Sequence, residues 1–265
     1  MALELSKGGR RYGFLPSPPD HRDYGMTTMP GVIFSARLSP VVSWKEFTGP
    51  VKDQGALGAC TAFAGCGNRE FLARKYFKDE KTKLENPVFS PLDLYYKERR
   101  EDATLDKGDC GSWGRTAVRV MNKYGVCLEN QDPYVPANYE TAPNETQIEE
   151  ASQFRAGAYH ALHGVQDMKN CLVSGYAFLM GFEVYESFET KTGSTHVYAP
   201  KHGEALLGGH EVFCIGYDDT KQMFEIRNSW GGSWGEGGNF WMPYEIAADT
   251  RVVNEAWIQH LGKAW

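Results

Sequence analysis

The spacing of the apolar residues changes partway along the chain, and that change limits the available folds more than any other feature. In the first half apolar side chains recur at helical intervals. Phe63, Ala64, Phe71 and Leu72 do so between Cys60 and about Phe77, and Leu94 and Tyr95 do so in a segment that opens at Ser90-Pro91. That dipeptide offers a capping hydroxyl and a first-turn proline. A third helix is expected over 113–124, ended by Gly125. After residue 155 a short helix at 165–174, stopped by Gly175, gives way to strand-like runs: YAFLMGFEVY, HEVFCIGYDD, MFEIRNSW and NFWMPYEI. The polar turn Asp219–Gln222 joins two of them as a hairpin. Residues 132–155 are polar and proline-punctuated and read as a crossing. The expectation is an α+β chain with a helical domain over 41–155 and a β-rich domain over 156–265. An arm, residues 1–40, precedes them, and Pro16, Pro18 and Pro19 bar a regular helix there.

Composition excludes several function classes. The formal net charge of −6 is spread over interspersed acids and bases, with no basic stripe for nucleic acid. No window approaches 18 apolar residues, so no membrane-spanning helix is expected. The N-terminus has no apolar h-region before a small-residue cleavage site, which favours the cytoplasm, with another export route or a trimmed leader as alternatives. Nothing resembles a metal-ligand set, and neither metal nor organic cofactor is expected. A monomer acting on a peptide or protein is expected.

Six cysteines, at 60, 66, 110, 127, 171 and 214, do not form a complete disulfide framework. Cys60 and Cys66 would lie about 9 Å apart along one helix, too far to bridge. Cys110 and Cys127 flank the helix at 113–124. Cys66, Cys171 and Cys214 read as small buried hydrophobes, and the pairing of the five cysteines beyond Cys60 stays open.

Cys60 differs because it stands where a glycine-containing loop, VKDQGALGAC, turns into a helix. A thiol there feels the positive end of the macrodipole and unpaired backbone N–H groups, which favour thiolate. Gln54, six residues earlier, can aim an amide N–H at a carbonyl oxygen under attack. With the N–H of Cys60 it would form an oxyanion hole.

Seven histidines are candidates for the base. His160 and His163 read as surface or half-buried residues, His196 and His202 as members of a mobile loop, and His21 and His260 lie near the termini. His210 follows Gly208-Gly209 and opens a strand anchored by Val212, Phe213 and Ile215, which would hold an imidazole still. Asn228, across the hairpin, can fix its tautomer. Trp230 would roof that hydrogen bond and exclude water.

PVKDQGALGACTAF, GGHEVFCIGYDD and RNSWGGSWGEGG resemble the three signature regions of papain-like cysteine proteases, in order from about Trp44 to Trp241. His210 lies 150 residues after Cys60, at the edge of the roughly 130–150 usual for that family. The resemblance implies a two-domain fold in which a helical domain packs against an antiparallel β-barrel-like domain, with the cleft between them. It implies Gln54 as oxyanion-hole amide, Cys60 as nucleophile, His210 as base and Asn228 as orienting residue. Gly111 and Ser112 would pair with the substrate backbone, Trp113 and Met180 would wall the S2 pocket, and Gly209, Trp230 and Trp234 would line the site. Leu57 and Thr61 stand where plant and animal members carry cysteine and tryptophan. Those departures, with the proline-rich arm YGFLPSPPDHRDYG, resemble the bacterial and viral branch of the xylellain type.

The implied activity is that of an endopeptidase working through a thioester acyl-enzyme. A ligase or transpeptidase at the same site, or a catalytically silent peptide-binding module, are the alternatives. The arm is either a short pro-segment lying along the cleft or a strap on the back of the domains.

Overall fold

The computed structural model describes residues 3–28, 38–76, 86–190 and 196–262. Phe77, part of the arm and residues 191–195 of the 190–207 loop lie outside them.

The helical half is organised by α1 (Cys60–Tyr76), which is buried on nearly every side. Helix α2 (Pro91–Glu101) starts as its sequence requires: Ser90 Oγ accepts the N–H of Asp93 at 3.1 Å, with proline at the first position. Helix α3 (Gly114–Lys123) stops before Gly125, whose φ of +76° suits glycine. Phe63, Leu94, Tyr95, Val118 and Met121 close a core between these three helices. The polar stretch at 132–155 is more than a crossing. It contains α4 (Glu145–Gln153), whose Asn144 and Gln147 form a reciprocal capping box. A strong local cap and a single buried residue, Ala151, suffice for a helix with almost no apolar stripe.

The sheet has nine strands among the described residues: β1 (Phe14–Leu15), β2 (Val41–Ser43), β3 (Ser112–Trp113), β4 (Tyr159–Ala161), β5 (Phe178–Tyr185), β6 (Leu206–Asp218), β7 (Met223–Arg227), β8 (Asn239–Pro243) and β9 (Val253–Gln259). Its spine runs β3-β1-β6-β5-β9-β4. The long β6 carries β5 and then β2 along one edge, and β1 and then β7 along the other. The sheet does not close on itself, so the barrel-like expectation reduces to a curved, open sheet in an α+β fold. Helices α5 (Gly164–Val173) and α6 (Glu186–Thr190) flank it. The strand expected through NFWMPYEI ends at Pro243, and the chain turns into the short α7 (Tyr244–Ala247).

The two halves exchange segments. Val41–Ser43 joins the sheet, while Leu179 and Trp257 from β5 and β9 complete the helical core. Strand β6 packs along α1, with Phe213 against Gly67 and Phe71. All six cysteines are free thiols, and no helix among the described residues is long and apolar enough to cross a membrane.

Candidate active site

Cys60 is the first residue of α1 and is 0% exposed. The backbone N–H groups of Glu211 and Gly13 face its sulfur and favour its ionised form. The first places the thiol against β6, one residue beyond His210, and the second brings the arm directly over it. Burial pushes the thiol up to about 12, against the pull of those two N–H groups. The ionised sulfur expected from the helix start is therefore reversed in this state. Desolvation under the arm outweighs the macrodipole.

His210 is also 0% exposed. Its Nε2 lies 2.8 Å from Asn228 Oδ1, and the same oxygen accepts the N–H of Ser229 at 2.8 Å. An oxygen already accepting from a backbone donor requires Nε2 to carry the proton, so Nδ1 keeps a lone pair. Nδ1 has no hydrogen-bond partner. Burial lowers the imidazole to about 4, with Arg10 adding to the fall and Asn228 opposing it. Trp230 stacks on the ring, centroids 4.8 Å apart and planes at 29°.

Gln54 is buried and stitched to the Asn228 loop. Its N–H donates to Ser229 O at 2.9 Å, and its Oε1 accepts Ser229 Oγ at 2.7 Å. Its Nε2 donates to Leu57 O at 3.0 Å, which fixes the amide and leaves its second N–H for another acceptor. Thr61, directly after the thiol, donates to Glu98 Oε2 at 2.6 Å, which gives this buried hydroxyl a partner inside the helical half.

The arm runs between the lobes. Phe14 pairs with Ser112 in parallel register and with Gly209 in antiparallel register, so β1 bridges the helical half and β6. Ser112 N–H donates to Gly13 O at 2.8 Å. Gly111 N–H is instead taken by Tyr95 Oη at 3.0 Å, so Ser112 is the backbone donor facing the cleft. Trp113 pairs with Leu15 at the same edge. Met180 lies in the core of the β-rich half. Its neighbour Gly181 meets the Phe14 ring, because alternate residues of β5 face opposite ways. Gly13 itself has no room for a side chain: a β-carbon there would collide with Gly58 O and lie 2.9 Å from Gly58 Cα.

Further contacts fasten the arm. Glu189 on α6 accepts hydrogen bonds from Ser6 Oγ and, at 2.8 Å, Tyr12 Oη, and from Gly8 N–H at 3.2 Å. Arg11 donates to Ala56 O at 3.1 Å and pairs with Asp109 at 3.4 Å. The Arg10 guanidinium lies 4.5 Å from the centroid of Trp230. Glu189, Ser229 and the alternating Tyr12 and Phe14 carry no motif that would have marked them in the sequence.

Among the other histidines, His196 is buried rather than mobile, with its ring 4.4 Å from that of Trp234. His160 is buried too, while His21, His163 and His202 are exposed. Trp234 packs edge-on against Trp230 at 4.9 Å, extending the aromatic wall beside His210.

The family model for papain family cysteine proteases matches residues 39–259. The chain belongs to that family, and it is a cysteine peptidase. It is 32% identical to an uncharacterized peptidase C1-like protein of Acanthamoeba polyphaga mimivirus, over 97% of this chain and 88% of that one. It superposes on xylellain, a cysteine protease from Xylella fastidiosa, with a TM-score of 0.86 and 31% identity, covering 99% of this chain and 100% of the other. Digestive procathepsin L 3 of Tenebrio molitor larval midgut shares the fold, with a TM-score of 0.69 at 19% identity over 91% of this chain and 76% of that one. The chain spans 41% of the length of a more distant curated relative, gamete and mating-type specific protein A of Dictyostelium discoideum.

Proposed function

We propose that the protein is an endopeptidase whose nucleophile is Cys60 and whose resting form is closed by its own arm. The observation that carries this reading is the bond from His210 Nε2 to Asn228 Oδ1 at 2.8 Å, which leaves Nδ1 a free lone pair in a ring beside the residue that holds the Cys60 sulfur. With the arm withdrawn, water and substrate reach both groups, and the thiol proton passes to Nδ1. The thiolate attacks the peptide carbonyl carbon, and the new oxyanion is held by the Cys60 N–H and the free N–H of Gln54 Nε2. The imidazolium returns its proton to the amine as the C–N bond breaks. Water, giving a proton to the same Nδ1, then cleaves the thioester.

The arm is not attacked in its seated pose because it offers the sulfur an N–H, from Gly13, rather than a carbonyl carbon. A thiol near 12 beside an imidazole near 4 is an un-ionised, inactive pair. This supports a zymogen-like arrangement, with Tyr12 and Gly13 covering base and nucleophile together.

The test is cleavage of a fluorogenic peptide by the full chain carrying Gly13→Val, which has no room to seat, against the unaltered chain. Turnover rising at least tenfold, and vanishing when Cys60→Ala is added, is the expected result. Equal turnover with and without Cys60 would reject the nucleophile. Turnover no higher in Gly13→Val would reject the closing role of the arm.

A further inference from the structure

Behind Phe14 stand two carboxyl groups for which hydrolysis has no use. Phe14 is 1% exposed, and its ring fills a slot between three glycines. A β-carbon at Gly209 would lie 2.7 Å from Phe14 Cδ1, one at Gly181 2.8 Å from Cε1, and one at Gly114 2.9 Å from Cε2. The two lobes thus leave clear a slot that only a side chain from outside them fills. The point beside Gly114 lies 2.6 Å from Glu211 Oε1 and closer still to Glu255 Oε1. Both acids end where the ring ends.

Glu211 is 0% exposed, and neither carboxyl oxygen has a hydrogen-bond partner. A buried polar group left so costs stability, and a fold retains it where something outside completes it. Across the slot, Glu255 Oε1 accepts Ser17 Oγ of the arm at 3.0 Å. Burial raises both carboxyls, with Glu255 and Glu98 raising Glu211 further. The nearby cation, Arg115, is drawn off by the arm: it pairs with Asp23 at 2.5 Å and donates to Pro18 O at 2.9 Å. Glu98, the third acid, accepts from Thr61. Two adjoining carboxyl groups suit an organic cation with several N–H donors.

We propose that this slot is a specificity pocket for an arginine or lysine side chain of the substrate, with Glu211 and Glu255 as its ion-pairing residues. The inference rests on the reading of the chain as an endopeptidase acting through Cys60. Once the arm leaves, the slot is wetted and its carboxyls are free to ionise. A basic side chain that threads the glycine walls ends between them. Five fixed donors let a guanidinium span two carboxylates, so arginine is preferred to lysine. An aromatic side chain fills the slot too, as Phe14 does, and because burial raises both carboxyls the preference for arginine over it rises with pH.

Two measurements on the full chain test this. The first uses the arm as a built-in ligand in a Cys60→Ala background and needs no catalysis. Phe14→Arg is expected to melt at or above Phe14→Met at pH 7.5, and to lose that advantage when Glu211→Gln is added. An arginine variant that melts below the methionine variant in both backgrounds overturns the pocket. The second uses Gly13→Val with fluorogenic peptides carrying Arg, Lys, Phe or Leu at the two positions before the scissile bond. Glu211→Gln is expected to lower the Arg-to-Phe ratio of kcat/KM by about tenfold or more, and Glu255→Gln to lower it less where Arg115 swings in to pair with Glu255. An unchanged ratio with all peptides cleaved removes the pocket and leaves the peptidase. If no peptide is cleaved, the peptidase reading falls and the melting comparison still decides the pocket.

Discussion

The ring of Tyr12 meets that of His210 edge-on, centroids 6.3 Å apart and planes at 85°, while the next residue of the arm places its N–H on Cys60. One dipeptide therefore covers both groups of the proposed chemistry. Tyr12→Ala removes the ring and its bond to Glu189, and is expected to raise the rate at which iodoacetamide labels Cys60 at pH 7.5 by roughly tenfold or more. Mass mapping of the labelled cysteine checks this against the five others.

Asn228 holds the imidazole through its side-chain oxygen alone, since its Nδ2 has no partner. Asn228→Ala frees the ring to choose its tautomer. It is expected to cut kcat of an arm-released enzyme by roughly 10²-fold with KM little changed. Steady-state kinetics on Gly13→Val, with and without Asn228→Ala, provide the comparison.

The seated state also sets a pH dependence. His210 is lowered from 6.5 to about 4, so between those values the unfolded chain binds a proton that the folded chain refuses. Its contribution to stability is full above 6.5 and is lost as pH falls through about 4. Glu211 and Glu98, raised by burial, act in the opposite direction: their contribution is full below about 4.5 and is lost as pH rises above it. The His210 part is isolated by comparison with His210→Gln: the gap in Tm between the two proteins should narrow as pH falls from 7 to 4. A gap that widens on acidification would contradict the lowered imidazole.

Glu189 gathers Ser6, Gly8 and Tyr12 onto one carboxylate. Charge-assisted bonds of this kind each contribute about 1.5–3 kcal/mol before their desolvation cost is met. Glu189→Ala should therefore loosen the arm, speeding its cleavage by thermolysin and raising basal peptide turnover above that of the unaltered chain. Faster arm cleavage without any gain in turnover would show that the arm is held there but does not close the site.

The parts legible in the sequence were those with short-range causes. Ser90-Pro91 announced its helix because cap and proline act within one turn, and Gly125 announced an end for the same reason. Gln54, Cys60, His210 and Asn228 could be singled out as a candidate set because loop, helix start and hairpin each carry distinctive residues. The helix at Glu145–Gln153 escaped because its cap, Asn144 with Gln147, sits in a polar stretch with no apolar period. Met180 was expected to wall a pocket, whereas it lies in the core and its neighbour Gly181 meets the Phe14 ring, because the strand's face is decided by register with β6 and β9, not by local sequence. The protonation state of Cys60 was hidden for a further reason. It depends on burial by segments distant in sequence, which outweighs the N–H groups of Glu211 and Gly13 that favour thiolate.

The central claim, that Cys60 is the nucleophile and is masked by the arm, is tested most directly by labelling with a thiol-directed epoxide followed by peptide mass mapping. The full chain should remain unlabelled at pH 7.5, and the Gly13→Val chain should take up one equivalent on Cys60 in step with loss of peptide cleavage. Full labelling of the unaltered chain, or inactivation of Gly13→Val with the adduct on any cysteine other than Cys60, would contradict it.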